Sequence, residues 1–321
     1  MASRYLICRP ECFIIAFMVL KGIFAAILFF CFTPYASPPI ALALGLLTAL
    51  TIGHPCIQYN GILTKYLLQV SVAGLGFGMN VTEVVAAGKT GILLTAISIS
   101  ATLAIGYFLG KRLAVNRNTS CLISVGTAIC GGSAIAAVAP LINAREEEIS
   151  VSMGTVFILN SVALFLFPPA GHLLGMTSAQ FGSWAAIAIH DTSSVVGAAE
   201  RFGPEALKTA AVIKLTRALW ILPLTIAATV IFKHRVSKVR LPLFIFAFIL
   251  ASLVATLLPA YGPVYASLAR MARTGLTVTL FLIGAGLSKD CLRTVGLKPV
   301  LFGALLWAIV LTASLLAVKY I

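Results

Sequence analysis

Two short polar stretches decide the fold of this chain: AICGGSAIAA at residues 128–137 and AIHDTSSVVG at residues 188–197. Each interrupts an apolar segment that is long enough to cross a membrane. Shifted by 60 positions they share the leading Ala-Ile, and Ser133 falls on Ser193. Paired breaks of this kind in two apolar segments are the best sequence indication of a binding site in a secondary transporter. We therefore expect the two stretches to form one site.

The composition predicts an integral membrane protein. The 321 residues are 60% hydrophobic and 10% charged, and the mean hydropathy is +1.05. A soluble domain carries about 25% charged residues. The apolar runs are continuous for about 20 residues, as in membrane helices, and lack the short alternating segments of a β-barrel. We expect one all-α, polytopic domain over residues 1–321, with lipid around it and no soluble module.

Eleven apolar segments can be separated, and this number leaves two topologies open. Either all eleven cross the membrane, or nine cross and the broken segments at 119–142 and 181–200 are re-entrant hairpins. The prediction is thus about 9–11 transmembrane helices with two broken or re-entrant segments. The breaks matter because a backbone group freed inside lipid must be buried in protein or must face a watery cavity.

A second internal similarity predicts inverted-topology repeats. A shift of 208 positions takes Gly76-Phe-Gly78 to Gly284-Ala-Gly286 and relates residues 35–110 to residues 240–318. The related segments are an odd number of segments apart, so the copies have opposite orientations if every segment crosses. Inverted repeats are the architecture of many secondary transporters.

The net charge of +14 comes from Lys and Arg between the apolar segments, not from a basic stripe with interleaved aromatics. This pattern excludes a nucleic-acid partner and fits the positive-inside rule, with a cytoplasmic N-terminus, a retained first helix and an external C-terminus in a bacterial inner membrane. The seven Cys include no C-x-x-C pair, so we expect neither a disulfide framework, a metal nor another cofactor.

The polar stretches contain the candidate binding residues. A helix that starts again after a break presents N–H donors and a positive dipole end, which suits an anion. Asp191 is an acid within an apolar run, so it is a candidate for function together with its neighbour His190. The alternative is that these two form a polar knot that only positions the break. The candidate substrate or ion ligands are Cys130, Gly131, Gly132, Ser133, His190, Asp191, Thr192, Ser193, Lys214 and Arg217.

Lys214 and Arg217 lie three residues apart on one predicted helix face. Either they face a cavity and attract an anion, or they extend to the membrane interface. Asn160 is expected to form an interhelical hydrogen bond. No G-x-x-x-x-G-K-[ST] motif for an ATP motor occurs in the chain.

The motif around Cys130, the His190-Asp191-Thr192 stretch and Lys214-Leu-Thr-Arg217 together resemble the bacterial sulfate exporter family of YeiH-like proteins. The resemblance covers about residues 12–318. It implies a multipass transporter related to the bile-acid/sodium symporters and the cation/proton antiporters, with a sulfur oxyanion as substrate. It marks the candidate ligands above other than Ser193. The chain departs from the family pattern at Ser193-Ser194, where a small residue and Gln are expected.

We therefore predict a secondary active transporter of a small inorganic or organic anion, coupled to H⁺ or Na⁺, with a homodimer as the candidate assembly. It is not expected to be an enzyme. The alternative is a cation/proton antiporter on the same fold. A remote alternative is an intramembrane serine protease with Ser133 as nucleophile and His190 as base, which requires the two side chains within about 2.6–3.2 Å.

Overall fold

A computed structural model describes residues 10–33, 35–51, 53–55, 57–232, 243–286 and 296–319. These residues are mostly helical and include no strand, which confirms the all-α prediction. The basic stretch at 233–240, Cys8, Cys56 and Cys291 lie outside them. The helices are α1 Pro10–Phe30, α2 Pro38–Thr51, α3 Ile57–Leu75, α4 Val81–Arg112, α5 Arg117–Ala128, α6 Gly132–Val138, α7 Glu146–Leu173, α8 Ser178–Ala188, α9 Thr192–Phe202, α10 Pro204–Leu219, α11 Ile221–Phe232, α12 Leu243–Leu257, α13 Gly262–Gly286 and α14 Leu297–Lys319.

Several of these helices have the length and composition of membrane spans. Five are long and apolar enough to cross: Val81–Arg112, Glu146–Leu173, Pro204–Ala227, Pro259–Gly286 and Leu297–Lys319. Shorter apolar helices accompany them, and many large apolar side chains point outward. Exposed apolar side chains over whole helix faces are expected where the surroundings are lipid. The chain is thus a multipass helical membrane protein.

The helices pack in two groups. The first group, here called the frame, consists of α2, α3, α12 and α13, in which α13 packs on α2 and α3, and α12 packs on α3. The frame is tight because glycines meet at its crossings. A β-carbon on Gly45 would lie 2.8 Å from the backbone nitrogen of Ala285 and 3.0 Å from the α-carbon of Gly284. The second group, here called the core bundle, consists of α5–α10 and α14, and α4 packs on its α5 and α10.

The first broken segment turns back on itself. Asn118 Nδ2, at the start of α5, donates to Glu148 Oε2 at the start of α7 over 3.0 Å. A β-carbon on Gly126 would lie 3.0 Å from Ile135 Cδ1, which two collinear half-helices would keep much farther apart. Residues 117–142, here called hairpin 1, therefore enter and leave the bundle on one side.

The second broken segment has the same form at the opposite end of α7. The ring of Phe181, in the first turn of α8, stacks on Phe202 at the end of α9 with centroids 3.9 Å apart. His172, in the last turn of α7, stacks on the same Phe202 ring at 4.4 Å. Residues 178–202, here called hairpin 2, therefore start and end beside the C-terminal end of α7. The two hairpins enter the bundle from opposite ends.

This geometry favours the topology with two re-entrant hairpins over eleven crossing segments. It also reconciles the two internal similarities. If both broken segments crossed, they would run in the same direction, whereas the inverted repeat requires opposite directions. The packing has a matching two-fold pattern: α4 packs on α5 as α14 packs on α8, and α7 packs on α5 as α10 packs on α8.

Candidate functional site

The tips of the two hairpins meet beside the middle of α7. The tip of hairpin 1 is residues 129–131, between α5 and α6, and the tip of hairpin 2 is residues 189–191, between α8 and α9. A β-carbon on Gly131 would lie 3.6 Å from Asp191 Cβ and 3.4 Å from Val156 Cγ1 on α7. The structure thus brings the two polar stretches together, as the sequence predicts for one shared site.

The tip of hairpin 1 requires glycine. Gly131 has φ +63° and ψ −128°, a conformation that side-chain-bearing residues rarely adopt, and its N–H donates to Gly126 O over 2.8 Å. Gly132 follows as the first residue of α6, and Ser133 is exposed at the rim of the site. Cys130 is buried just before the turn. The first N–H groups of a helix have no partner within it, so the start of α6 offers donors beside Ser133.

Asp191 fixes the local conformation of the tip of hairpin 2. Asp191 is the N-cap of α9 and its carboxylate accepts from Ser193 N over 3.0 Å and from the Ser193 hydroxyl. Thr192 and Ser193 are buried in the first turn of α9, whereas Asp191 is half-buried. Asp191 therefore faces the junction and fixes the direction in which α9 starts again.

The imidazole of His190 is fully buried and neither ring nitrogen has a hydrogen-bond partner among the described residues. The ring lies 6.3 Å from the ring of Trp307 on α14. No hydrogen bond therefore joins His190 to Asp191 or to Ser133, within the part of the chain that the structure describes. The pair that a serine protease requires is not formed.

Arg217, on α10, binds backbone carbonyls at the C-terminal ends of α5 and α8, the first helix of each hairpin. Its side chain is fully buried, and its nitrogens donate to carbonyl oxygens at Ala128 (Nε, 3.1 Å), Thr127 (Nη2, 3.3 Å) and Ala186 (Nη1, 3.1 Å), with a further bond to Ile187. These carbonyls end α5 and α8, where the helix dipole is negative. One guanidinium thus holds the two tips together.

Lys214 is one turn away and is also fully buried. Its Nζ donates to Ile189 O over 2.7 Å and to Ala186 O over 3.4 Å. Neither Lys214 nor Arg217 forms an ion pair with any carboxylate of the described ranges. Both side chains turn inward at membrane depth, so the alternative in which they extend to the interface does not describe this arrangement.

Two residues outside the predicted set complete the junction. Asn160, near the middle of α7, accepts through Oδ1 from His190 N and from Asp191 N, both over 3.1 Å. Trp307 Nε1 donates to Ala188 O over 2.9 Å. The sequence indicated an interhelical hydrogen bond for Asn160, but nothing in it pointed to hairpin 2 as the partner. Trp307 carried no signal beyond an aromatic residue in an apolar helix.

Comparison with known proteins places the chain in a family. Residues 12–303 match the protein-family model described as Conserved hypothetical protein 698. The UPF0324 membrane protein of Bacteroides thetaiotaomicron is 51% identical over 317 residues, covering 94% of this chain and 96% of the relative. The chain belongs to the UPF0324 membrane protein family.

Other UPF0324 relatives match over similar lengths. The Porphyromonas gingivalis protein is 53% identical over 288 residues, covering 88% of this chain and 87% of the relative. The Geobacter sulfurreducens protein is 46% identical over 299 residues, covering 93% and 96%. No solved structure matches the chain. The names of these relatives describe a membrane protein and no substrate, so the resemblance to sulfate exporters and to bile-acid symporters stays a prediction.

Several buried polar atoms near the hairpin tips of this UPF0324 protein lack a hydrogen-bond partner within the described part of the chain. Thr127 Oγ1, Asn160 Nδ2 and both ring nitrogens of His190 are buried without a hydrogen-bond partner among the described residues. Thr127 lies in the last turn of α5, Asn160 on α7 and His190 in the tip of hairpin 2. Buried polar groups are nearly always paired with protein, water or a ligand. The junction of the tips is therefore a candidate place for a polar ligand.

Proposed function

We propose that this UPF0324 protein is a secondary active transporter of a small anion in the bacterial inner membrane, with its site between the two hairpin tips. One observation carries the proposal: two re-entrant hairpins enter from opposite ends and meet at the middle of α7. Broken helices that meet near the bilayer midplane form the substrate sites of many secondary transporters.

The basic groups at the junction favour an anion. Arg217 carries a buried positive charge, Lys214 beside it is a second buried basic side chain, and neither forms an ion pair with a carboxylate of the described ranges. The carbonyl ends of α5 and α8 that bond to them carry only partial negative charge, about half an elementary charge each. Asp191, the carboxylate at the tips, is already bonded to Ser193. The start of α6 adds N–H donors beside Ser133, so a small anion meets both basic side chains and donors there. By the resemblance of the motifs, it is a sulfur oxyanion.

A cation/proton antiporter is less well supported by the same contacts. A cation needs free carbonyl or carboxylate oxygens, since these are the ligands of Na⁺-like ions. The carbonyls at the C-terminal ends of the half-helices already accept from Lys214 and Arg217, at Thr127, Ala128, Ala186, Ile187 and Ile189. The coupling ion of the proposed anion transporter is H⁺ or Na⁺, with Asp191 and His190 as the candidate groups.

In the proposed cycle the anion binds at the junction, between the start of α6 and the start of α9. The core bundle then shifts against the frame, so that the junction opens to one side of the membrane and afterwards to the other. Contact between the two groups exists at Gly197 of α9, where a β-carbon would lie 2.9 Å from Pro38 Cβ and 3.0 Å from Leu280 Cδ1 of the frame.

The test is uptake of radiolabelled sulfate into proteoliposomes of the purified protein, with and without an imposed pH or Na⁺ gradient. We expect gradient-driven uptake, reduced about tenfold or more by Ser133→Ala, which removes a hydroxyl donor to the charged substrate, and by Asp191→Asn, which removes the carboxyl group proposed for coupling. Ser183→Ala is the matched control, since Ser183 is half-buried in the first half of α8, away from the tips, and its hydroxyl donates to Ala179 O within the same helix.

The outcomes separate the candidates. Absence of flux for sulfate and for a panel of other small anions would contradict the proposal. Proton release that depends on Na⁺ but not on any anion would favour the antiporter instead. Uptake that is equal in the wild type, Ser133→Ala and Asp191→Asn would keep the transporter but move the site away from the tips.

A further inference from the structure

The side-chain amide of Asn160 has one defined orientation. Its Oδ1 accepts two backbone N–H groups at once, from His190 and from Asp191. A flipped amide would direct its NH₂ group at these two donors, which hydrogen bonding does not allow. The NH₂ group of Asn160 therefore points away from hairpin 2, with its direction fixed by the backbone of that hairpin.

The NH₂ group has nothing to bind within the described protein. Asn160 is 3% exposed, and its Nδ2 has no hydrogen-bond partner. An amide nitrogen only donates, so its missing partners are acceptors. Leaving a buried donor unpaired costs free energy, so we expect an acceptor from a ligand to bind Asn160 Nδ2.

The position of Asn160 on α7 places it between the two tips. Val156 and Phe157 lie one turn earlier on the same helix face. A β-carbon on Gly131 would contact Val156 at 3.4 Å, and one on Gly132 would contact Phe157 Cζ at 3.4 Å. Asn160 thus touches hairpin 2 through its oxygen, and its neighbours on the helix face touch hairpin 1.

We propose that Asn160 Nδ2 is a direct ligand of the transported anion. The inference rests on the proposed transport of an anion at this junction. The two N–H bonds of the amide diverge in one plane, so one of them donates to an oxygen of the bound anion while Oδ1 holds hairpin 2. Sites built to pair a buried polar group bind less well any ligand that leaves it unpaired.

Two substitutions of Asn160 separate the role of its amide oxygen from the role of its amide nitrogen. Asn160→Asp keeps both acceptor bonds to His190 N and Asp191 N but replaces the donor by an acceptor. Asn160→Leu is neutral and of similar size, and it removes the donor together with the acceptor. We expect sulfate to bind about ten- to a hundred-fold more weakly to both variants. We expect only Asn160→Leu to lower the midpoint of thermal unfolding without ligand, because it leaves two N–H groups of hairpin 2 unpaired.

The measurement is the thermal unfolding midpoint of purified wild-type, Asn160→Asp and Asn160→Leu protein, each titrated with sulfate at constant ionic strength. Stabilisation of the wild type at sulfate concentrations that leave both variants unchanged agrees with the inference. Wild-type sulfate affinity in Asn160→Leu overturns the role as ligand, because charge repulsion is absent from that variant. If wild-type protein neither binds nor transports any anion, the proposed function fails instead.

Discussion

At the scale of single residues, Arg217 and Asn160 bind different backbone groups of the two hairpins. Arg217 binds the carbonyl ends of α5 and α8, and Asn160 accepts the N–H groups that precede α9. The sequence placed Arg217 and Lys214 on one helix face but left open whether they face a cavity or extend to the membrane interface. It could not show that carbonyls from two other segments surround them, because those carbonyls are supplied by long-range packing and not by any local pattern.

Replacing Arg217 tests this arrangement. Arg217→Lys keeps the charge but loses the planar fork, so several carbonyls at the ends of α5 and α8 lose their donor. We expect the free energy of unfolding to fall by about 3 kcal/mol or more, as when one partner of a buried charged network is removed. Thermal unfolding in detergent measures this, and Arg201→Lys at an exposed position is the matched control. A thermal unfolding midpoint for Arg217→Lys equal to that of Arg201→Lys would contradict this role of Arg217.

The turn at Gly131 gives a second prediction at this scale. Gly131→Ala puts a side chain on a backbone conformation that costs about 1–3 kcal/mol, and relief of this strain changes the turn at the tip. We expect transport to be strongly reduced. Gly61→Ala, at a helical position of α3 with open space around it, is the matched control and should transport normally. Normal transport by Gly131→Ala would show that the exact turn does not matter.

At the scale of elements, the sequence located both breaks but could not decide whether the segments cross. The predicted segments at 119–142 and 181–200 contain the observed breaks at 129–131 and 189–191. Hydropathy is the same for a crossing segment and for a hairpin buried in protein. What distinguishes them is which ends meet, and this depends on contacts such as Phe181 with Phe202 and Asn118 with Glu148.

Cysteine labelling tests the hairpins in intact cells. In a variant without the seven native Cys, single cysteines at Arg117 and at Glu147 flank hairpin 1, and single cysteines at Ala179 and at Arg201 flank hairpin 2. We expect a membrane-impermeant maleimide to reach the second pair from outside and the first pair only after permeabilisation. Opposite accessibility of the two members within either pair would mean that the segment crosses.

At the scale of the whole molecule, the helix contacts agree with a two-fold pattern that would relate the two internal similarities of the sequence. The shift of 208 positions relates α2–α4 to α12–α14, and the shift of 60 positions relates the two hairpins. In the first copy, hairpin 1 and α7 follow α2–α4 along the chain. In the second copy, hairpin 2 and α10 precede α12–α14. Sequence alone treated the shifts as unrelated, because only packing shows that α14 lies on α8 as α4 lies on α5.

The overall topology predicts termini on opposite faces of the membrane. With two re-entrant hairpins the remaining nine segments cross, which is an odd number, and the positive-inside rule puts the N-terminus in the cytoplasm. An alkaline phosphatase fused after Ile321 should therefore be active, and a green fluorescent protein at the same position should be dark. Truncated fusions after Arg112 should give the reverse pattern. An inactive phosphatase at the C-terminus would require an even number of crossings.

The shared guanidinium of Arg217 has a consequence for the proposed transport cycle. If the two hairpins moved independently, the bonds from Arg217 to one set of carbonyls would break away from bulk water. Unpaired carbonyls and an unpaired charge in the protein interior cost several kcal/mol, on the order of 2–7 for each neutral group. We therefore expect the two hairpins to move together in that cycle, with the opening between them and the frame.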